Sequence, residues 1–249
     1  MTSFCGLFDS CECIKSITFK KFLRKNITDM SFMFKRCTSL QEINLSNFNT
    51  DSVTKMQGMF SLCPSLKELN LSNFNTNKVT DMSTMFIKCS LLKEINLSNF
   101  NTDNVTDMSG MFWLCSSAKE INVSNFNTRK VTKMSFMFFR CSSLKKLNLS
   151  HFNTENVTNL HSMFQHCSSI KEIDLSNLNT DNVTDMSDMF NGCSSLEELK
   201  LSDFKTDKVD EMYLMFNKCP EELKMKMREQ HPNLGDEAFD EDSFENDLF

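Results

Sequence analysis

Glycine and proline are scarce in this sequence, five and three among 249 residues. The chain's turns must therefore be made by Asn, Asp, Ser and Thr, whose side chains hydrogen-bond nearby backbone. No window is long, apolar and free of charge, which excludes a transmembrane helix and membrane insertion. The first residues lack a basic n-region and a sustained apolar h-region, so no secretory signal is expected and a cytoplasmic location follows. There is no Cys-x-x-Cys pair, Gly-rich phosphate loop, nucleophile elbow or His-Glu-x-x-His pattern, so neither an enzyme nor a cofactor is expected. Excess positive charge is also missing. The net charge is -6, and residues 235–249 hold seven acids and no base. Removing them leaves a body near +1, which has no field to attract nucleic acid.

What the sequence has in abundance is repetition. Cysteines fall at Cys37, Cys63, Cys89, Cys115, Cys141, Cys167, Cys193 and Cys219, always 26 residues apart. Each closes a version of one phrase, seen as Asp107-Met108-Ser109-Gly110-Met111-Phe112-Trp113-Leu114-Cys115. A fixed period of this length marks a solenoid whose units fold only by stacking. Shifting Met30, Met33, Phe34 and Cys37 back by 26 gives Phe4, Leu7, Phe8 and Cys11, a degenerate first copy. One cysteine per repeat, on the same stripe as Met111 and Phe112, reads as reduced, buried packing. Cys5, Cys11 and Cys13 lie closer together but lack the second pair of a zinc spacing. Nine Asn-x-Ser/Thr sequons recur with the repeat, too closely spaced for a glycan on each.

Within a repeat, Ile95 and Leu97 alternate with polar residues, the period of a strand with one buried face. Eight such segments begin near residues 14, 40, 66, 92, 118, 144, 170 and 196. In the return segment, Val105, Met108, Met111, Phe112 and Cys115 follow helical spacing, with Asn104 or Thr106 placed as the N-cap. The expected organisation is a degenerate capping repeat over residues 1–26 and a solenoid over 27–219. A cap helix over 220–234 and a disordered acidic tail over 235–249 complete it.

The strand unit Leu92-x-x-Ile95-x-Leu97, with the Met-Phe-x-x-Cys-Ser-Ser hallmark at 111–117, resembles the BspA-like leucine-rich-repeat surface proteins. The similarity is to the branch with Asn-Phe-Asn-Thr and Asp-Met-Ser-x-Met-Phe repeats, and it covers roughly residues 4–219. It implies an α/β leucine-rich-repeat-like right-handed solenoid, one parallel sheet of about eight short strands backed by short helices. It also implies protein binding without catalysis, with a surface-exposed adhesin as the alternative role. Where ordinary leucine-rich repeats place a ladder Asn, this chain has Phe48, Phe74, Phe100, Phe126, Phe152 and Phe204. A stacked aromatic spine is therefore expected there in place of amide hydrogen bonds.

The strand face is nearly uniform, with Glu42, Glu68, Glu94, Glu120, Glu172 and Glu198 in one column, and discriminates poorly between partners. The return segments vary much more. Two of their columns bring Ile87, Trp113, Phe136 and Phe139 to neighbouring repeats, outside the Met-Met-Phe-Cys stripe. Contiguous exposed aromatics mark interfaces, so these four residues are the expected protein-binding site, on a monomer or weakly self-associating chain. His161 and His166 are expected as surface residues. Phe239, Phe244 and Phe249 in the acidic tail are a second candidate, as a docking motif.

Overall fold

The computed structural model describes residues 2–20, 24–201 and 204–239. Repeats lie side by side and are joined by hydrogen bonds between residues about 26 apart. This arrangement fits a repeat solenoid.

The return segments are not helical. In each of nine coils two residues four apart adopt a left-handed backbone, for example Phe32 at φ 55° with Arg36 at 56°, and Thr84 at 53° with Lys88 at 59°. The chain there is a run of tight turns, with the Met33 N–H donating to the Met30 carbonyl, Lys35 to Phe32, and Cys37 to Phe34. The alternate N–H groups point to the next coil: Met30 to Lys55, Phe32 to Gln57, Phe34 to Met59 and Arg36 to Ser61, at 2.8–3.0 Å. A single-residue parallel bridge continues the ladder from Ser3 through Asp29, Lys55, Asp81, Asp107, Lys133, Asn159 and Asp185 to Glu211. The reason is spatial. Stacked strands stand about 4.8 Å apart, whereas packed helices need about 8–10 Å. A helix in every coil keeps pace with its own strand only if the stack curves. The turn ladder matches the strand spacing, and it places the same Met, Met, Phe and Cys inward.

Strands form where the alternation predicts them, but they are short. β1 (Ser16–Thr18) pairs with β2 (Glu42–Asn44), β3 (Glu94–Asn96) with β4 (Glu120–Asn122), and β5 (Glu172–Leu175) with β6 (Glu198–Leu201), all parallel. Among the described residues, six strands in three two-stranded sheets thus replace the expected single sheet of about eight. Residues 146–148 make only isolated bridges, Glu120 to Lys146 and Asn148 to Asp174. An Asx turn cuts five of the segments off: the N–H groups of Ser46, Ser72, Ser98, Ser124 and Ser150 donate to the side chains of Asn44, Asn70, Asn96, Asn122 and Asn148. A side chain that accepts the next N–H but one competes with the sheet for it.

The core is one continuous column of apolar side chains along the stack. Ten phenylalanine rings form its axis: Phe8, Phe34, Phe60, Phe86, Phe112, Phe138, Phe164, Phe190, Phe216 and Phe239, near-parallel with centroids 5.3–5.9 Å apart. Each Cys of the repeat donates its thiol to a spine carbonyl of the preceding coil, as Cys63 to Phe34 at 3.0 Å and Cys115 to Phe86 at 3.2 Å. That carbonyl already accepts a turn N–H, so the thiol fills its second lone pair. Burial pushes Cys37 up to about 11 and Cys63 and Cys219 up to about 12.

The stacked spine is therefore built by the Met-Phe column and not by the Phe48 column, which is buried nearby. The turn beside Phe48 has the amide hydrogen bonds that the sequence reading excluded. Asn73 Nδ2 donates to the carbonyls of Leu45 and Phe48, and Asn99 Nδ2 to those of Leu71 and Phe74. The amide donor has moved one residue ahead of the phenylalanine. Buried threonines staple the following bend. Thr102 Oγ1 donates to the Asn127 carbonyl at 2.9 Å and accepts from the Asn127 N–H at 2.7 Å. Thr50, Thr76, Thr128, Thr154 and Thr180 do the same.

At the C-terminal end, α1 (Glu221–Gln230) buries Leu223 and Met227 against the last coil. Beyond it, a short 3-10 helix, Asp236–Ala238, returns to the stack. Leu214 and Phe216 donate their N–H groups to the carbonyls of Glu237 and Ala238 at 2.6 and 2.7 Å. Phe239 is fully buried as the tenth ring. Ordered core structure thus extends into the region assigned to the tail. A segment as short as 236–239 can replace a whole coil because it supplies the two things the last coil lacks, carbonyl acceptors and a ring.

Candidate binding surface

The residues immediately after the spine Phe and those two before it lie outside the Met-Met-Phe-Cys stripe, and some of them reach the surface. These positions carry Ile87, Trp113, Phe136 and Phe139, and all four are half-buried. The Trp113 indole lies on the Phe136 ring at 4.9 Å and 14°. Phe139 meets Trp113 edge-on at 5.2 Å and Phe136 at 5.7 Å. Ile87 sits one coil earlier, in the column of Trp113. The indole lies against the left-handed Gly110 (φ 59°), where a Cβ would make an ordinary contact with Trp113 Cε3 at 3.4 Å. The indole N–H is buried and makes no hydrogen bond among the described residues, unusual for a group that normally finds a partner when buried.

The aromatic cluster has neighbours that the sequence reading treated separately. His161 meets Phe136 edge-on at 4.8 Å, and His166 meets Phe139 at 6.2 Å. The Arg140 guanidinium lies over Phe139, 5.4 Å from the ring centre. Both histidines are half-buried, and burial, with Arg140 and Lys218 nearby, holds His166 below the ordinary imidazole value. In the next two coils the same columns turn polar. Ser162 Oγ donates to Gln165 Oε1 at 2.8 Å, while Gln165 and Asn191 both donate to Asp188 Oδ1, at 3.1 and 2.6 Å. His161 Nδ1 lies 2.7 Å from Ser187 Oγ. The variable columns thus run from aromatic to hydrogen-bonded polar along the stack. Ser162, Gln165, Asp188 and Asn191 could have been found in sequence, since they break the same columns as Trp113.

Of the tail candidates, Phe239 is in the core, and Phe244 and Phe249 lie outside the described residues. Cys5 and Cys13 are exposed and Cys11 is half-buried. Among the described residues no group of three or more His, Cys, Asp or Glu side chains could hold a metal ion. None of their helices is long and apolar enough to cross a membrane. The strand face keeps its exposed glutamates in one column.

Coils of one length, one spine and a surface that varies in only a few columns define a repeat protein. The chain belongs to the family described as "Mycoplasma protein of unknown function, DUF285", whose model matches residues 2–121 and 114–228. Two solved structures are also similar. A leucine-rich-repeat protein of Leptospira interrogans matches with 15% identity and a TM-score of 0.36, covering 88% of this chain and 53% of its own. One from Bacteroides ovatus matches with 18% identity and a TM-score of 0.24, covering 86% and 79%. The chain therefore spans about half the length of the Leptospira protein. Comparison with curated proteins finds no match.

Proposed function

We propose that the chain is a non-catalytic scaffold for protein–protein interaction, of the leucine-rich-repeat type. It binds a protein partner through the surface of Ile87, Trp113, Phe136 and Phe139. The observation that carries this reading is the aromatic cluster itself: three half-buried rings in mutual contact outside the core, whereas the spine rings from Phe34 to Phe239 are fully buried for packing. Such clusters, with a Trp at the centre and an Arg beside it, dominate binding energy at interfaces.

The test is affinity capture and titration of partners with the wild-type chain and Trp113→Ala. The substitution is expected to weaken binding by about 2 kcal/mol or more, some thirtyfold, while the thermal unfolding midpoint moves little. A partner that binds both forms equally would sink the proposal.

A further inference from the structure

The column one residue beyond Trp113 and Phe139 carries a charge pattern of one sign. Its exposed members include Arg36, Lys88, Arg140 and Lys218, and none of its residues is acidic. Arg140 lies on the aromatic cluster, and Lys218 lies on the last coil. The column runs from Lys218 through Gly192 and His166 to Arg140, so the cations of this row mark the C-terminal end of the stack and the edge of the aromatic surface.

The chain returns to that same end. Phe239 closes the ring spine directly on Phe216. Asp240 follows Phe239 in the sequence. From there the sequence is Asp-Glu-Asp-Ser-Phe-Glu-Asn-Asp-Leu-Phe, with five acids, no base, and Phe244, Leu248 and Phe249. Charge and apolar content both complement the row and the cluster it leads to.

Reach is sufficient. Four ring spacings of 5.3–5.6 Å separate Phe239 from Phe138, roughly 22 Å along the stack, and ten extended residues span up to about 33 Å. Five span about 17 Å, enough to bring Phe244 level with His166.

We propose that residues 240–249 dock in cis along the Lys218–Arg140 row and place Leu248 and Phe249 on the Trp113 cluster. The chain thereby carries its own competitor for the surface that binds its partner. This inference rests on the reading of that surface given above. A tethered segment meets its site at a high effective concentration, so even weak contacts hold it.

Trp113 is the only tryptophan, so its fluorescence reports on the site directly. In the full-length chain, Leu248→Ser/Phe249→Ser should raise acrylamide quenching of Trp113 by about twofold, as a mostly docked population opens. A synthetic peptide of residues 240–249 added to that variant should reverse the change. Arg140→Glu should raise quenching with the native tail and add nothing in the Leu248→Ser/Phe249→Ser background. Wild-type quenching should not change over a hundredfold range of protein concentration, as an intramolecular contact requires. Equal quenching in wild type and tail variant would overturn the proposal. So would a concentration dependence, which would mean docking between copies, or an Arg140→Glu effect of equal size in both backgrounds. The surface reading is tested separately: partner affinity lost in Trp113→Ala, with quenching indifferent to the tail, would retain the surface and remove the docked segment.

Discussion

At the scale of single residues, the repeat uses chemically ordinary side chains in demanding positions. Eight thiols lie buried in hydrogen bonds to spine carbonyls, and only Cys5, Cys11 and Cys13 reach solvent. A thiol reagent at pH 8 should therefore titrate three cysteines in the native chain and eleven after unfolding; early reaction of the repeat column would contradict the packing described. Burial raises these thiols above their ordinary value of 9.0. Below that pH both states keep the proton and the stabilisation is full. Above it the unfolded chain loses protons that the folded chain retains, so stability falls as pH rises from 9 towards about 12. Denaturant midpoints measured across that window should decline in step. The left-handed positions offer a test of opposite sign. Lys88 is exposed with φ 59°, a conformation that costs a residue with a Cβ about 1–2 kcal/mol. Lys88→Gly should therefore stabilise the chain by about 1 kcal/mol in urea unfolding, net of the entropy glycine loses.

At the scale of elements, the difference between expected helix and observed turn ladder shows where sequence reading stops. Met108, Met111, Phe112 and Cys115 face inward in either conformation, so their burial is legible and the backbone that buries them is not. The information that decides between the two lies in the spacing of neighbouring coils, which no single repeat contains. Strand positions are legible from alternation, but their lengths are set by Asn44 and its counterparts taking the next free N–H. The aromatic surface is legible as variation within columns. Its attachment to His161, His166 and Arg140 is not, because those residues lie on a different coil or column and meet the rings only after stacking. The threonine staple gives the element-scale prediction. Thr102→Val keeps the shape but leaves the part-buried Asn127 N–H and carbonyl without the Thr102 hydroxyl. It should cost about 1–3 kcal/mol, and amide exchange should accelerate first at residues 101–103 and 126–128.

At the scale of the whole molecule, stability runs along the stack from coil to coil, and the last coil depends on what covers it. Phe239→Ala would remove a ring that is fully buried and stacked at 5.3 Å on Phe216. The expected loss is about 3–5 kcal/mol if the chain unfolds as one unit. A linear array can instead yield locally, in which case hydrogen exchange should rise over residues 209–219 while residues 79–115 stay protected. The acidic composition of 235–249 hides this cap from sequence reading, because the ring that matters is embedded among charges.

The inter-coil hydrogen bonds hold one more consequence. The turn ladder, the threonine staples and the thiol bonds join residues 25 to 29 apart, coil to neighbouring coil, and the same donors and acceptors recur from junction to junction. Excising a whole 26-residue unit would leave two cut faces that fit each other as well as they fitted the piece removed. Length is therefore a quantity that this architecture leaves to inheritance and recombination. Reading frame within the unit is what it enforces, since an excision of any other size would leave one coil of the wrong length and break the ladder at that junction.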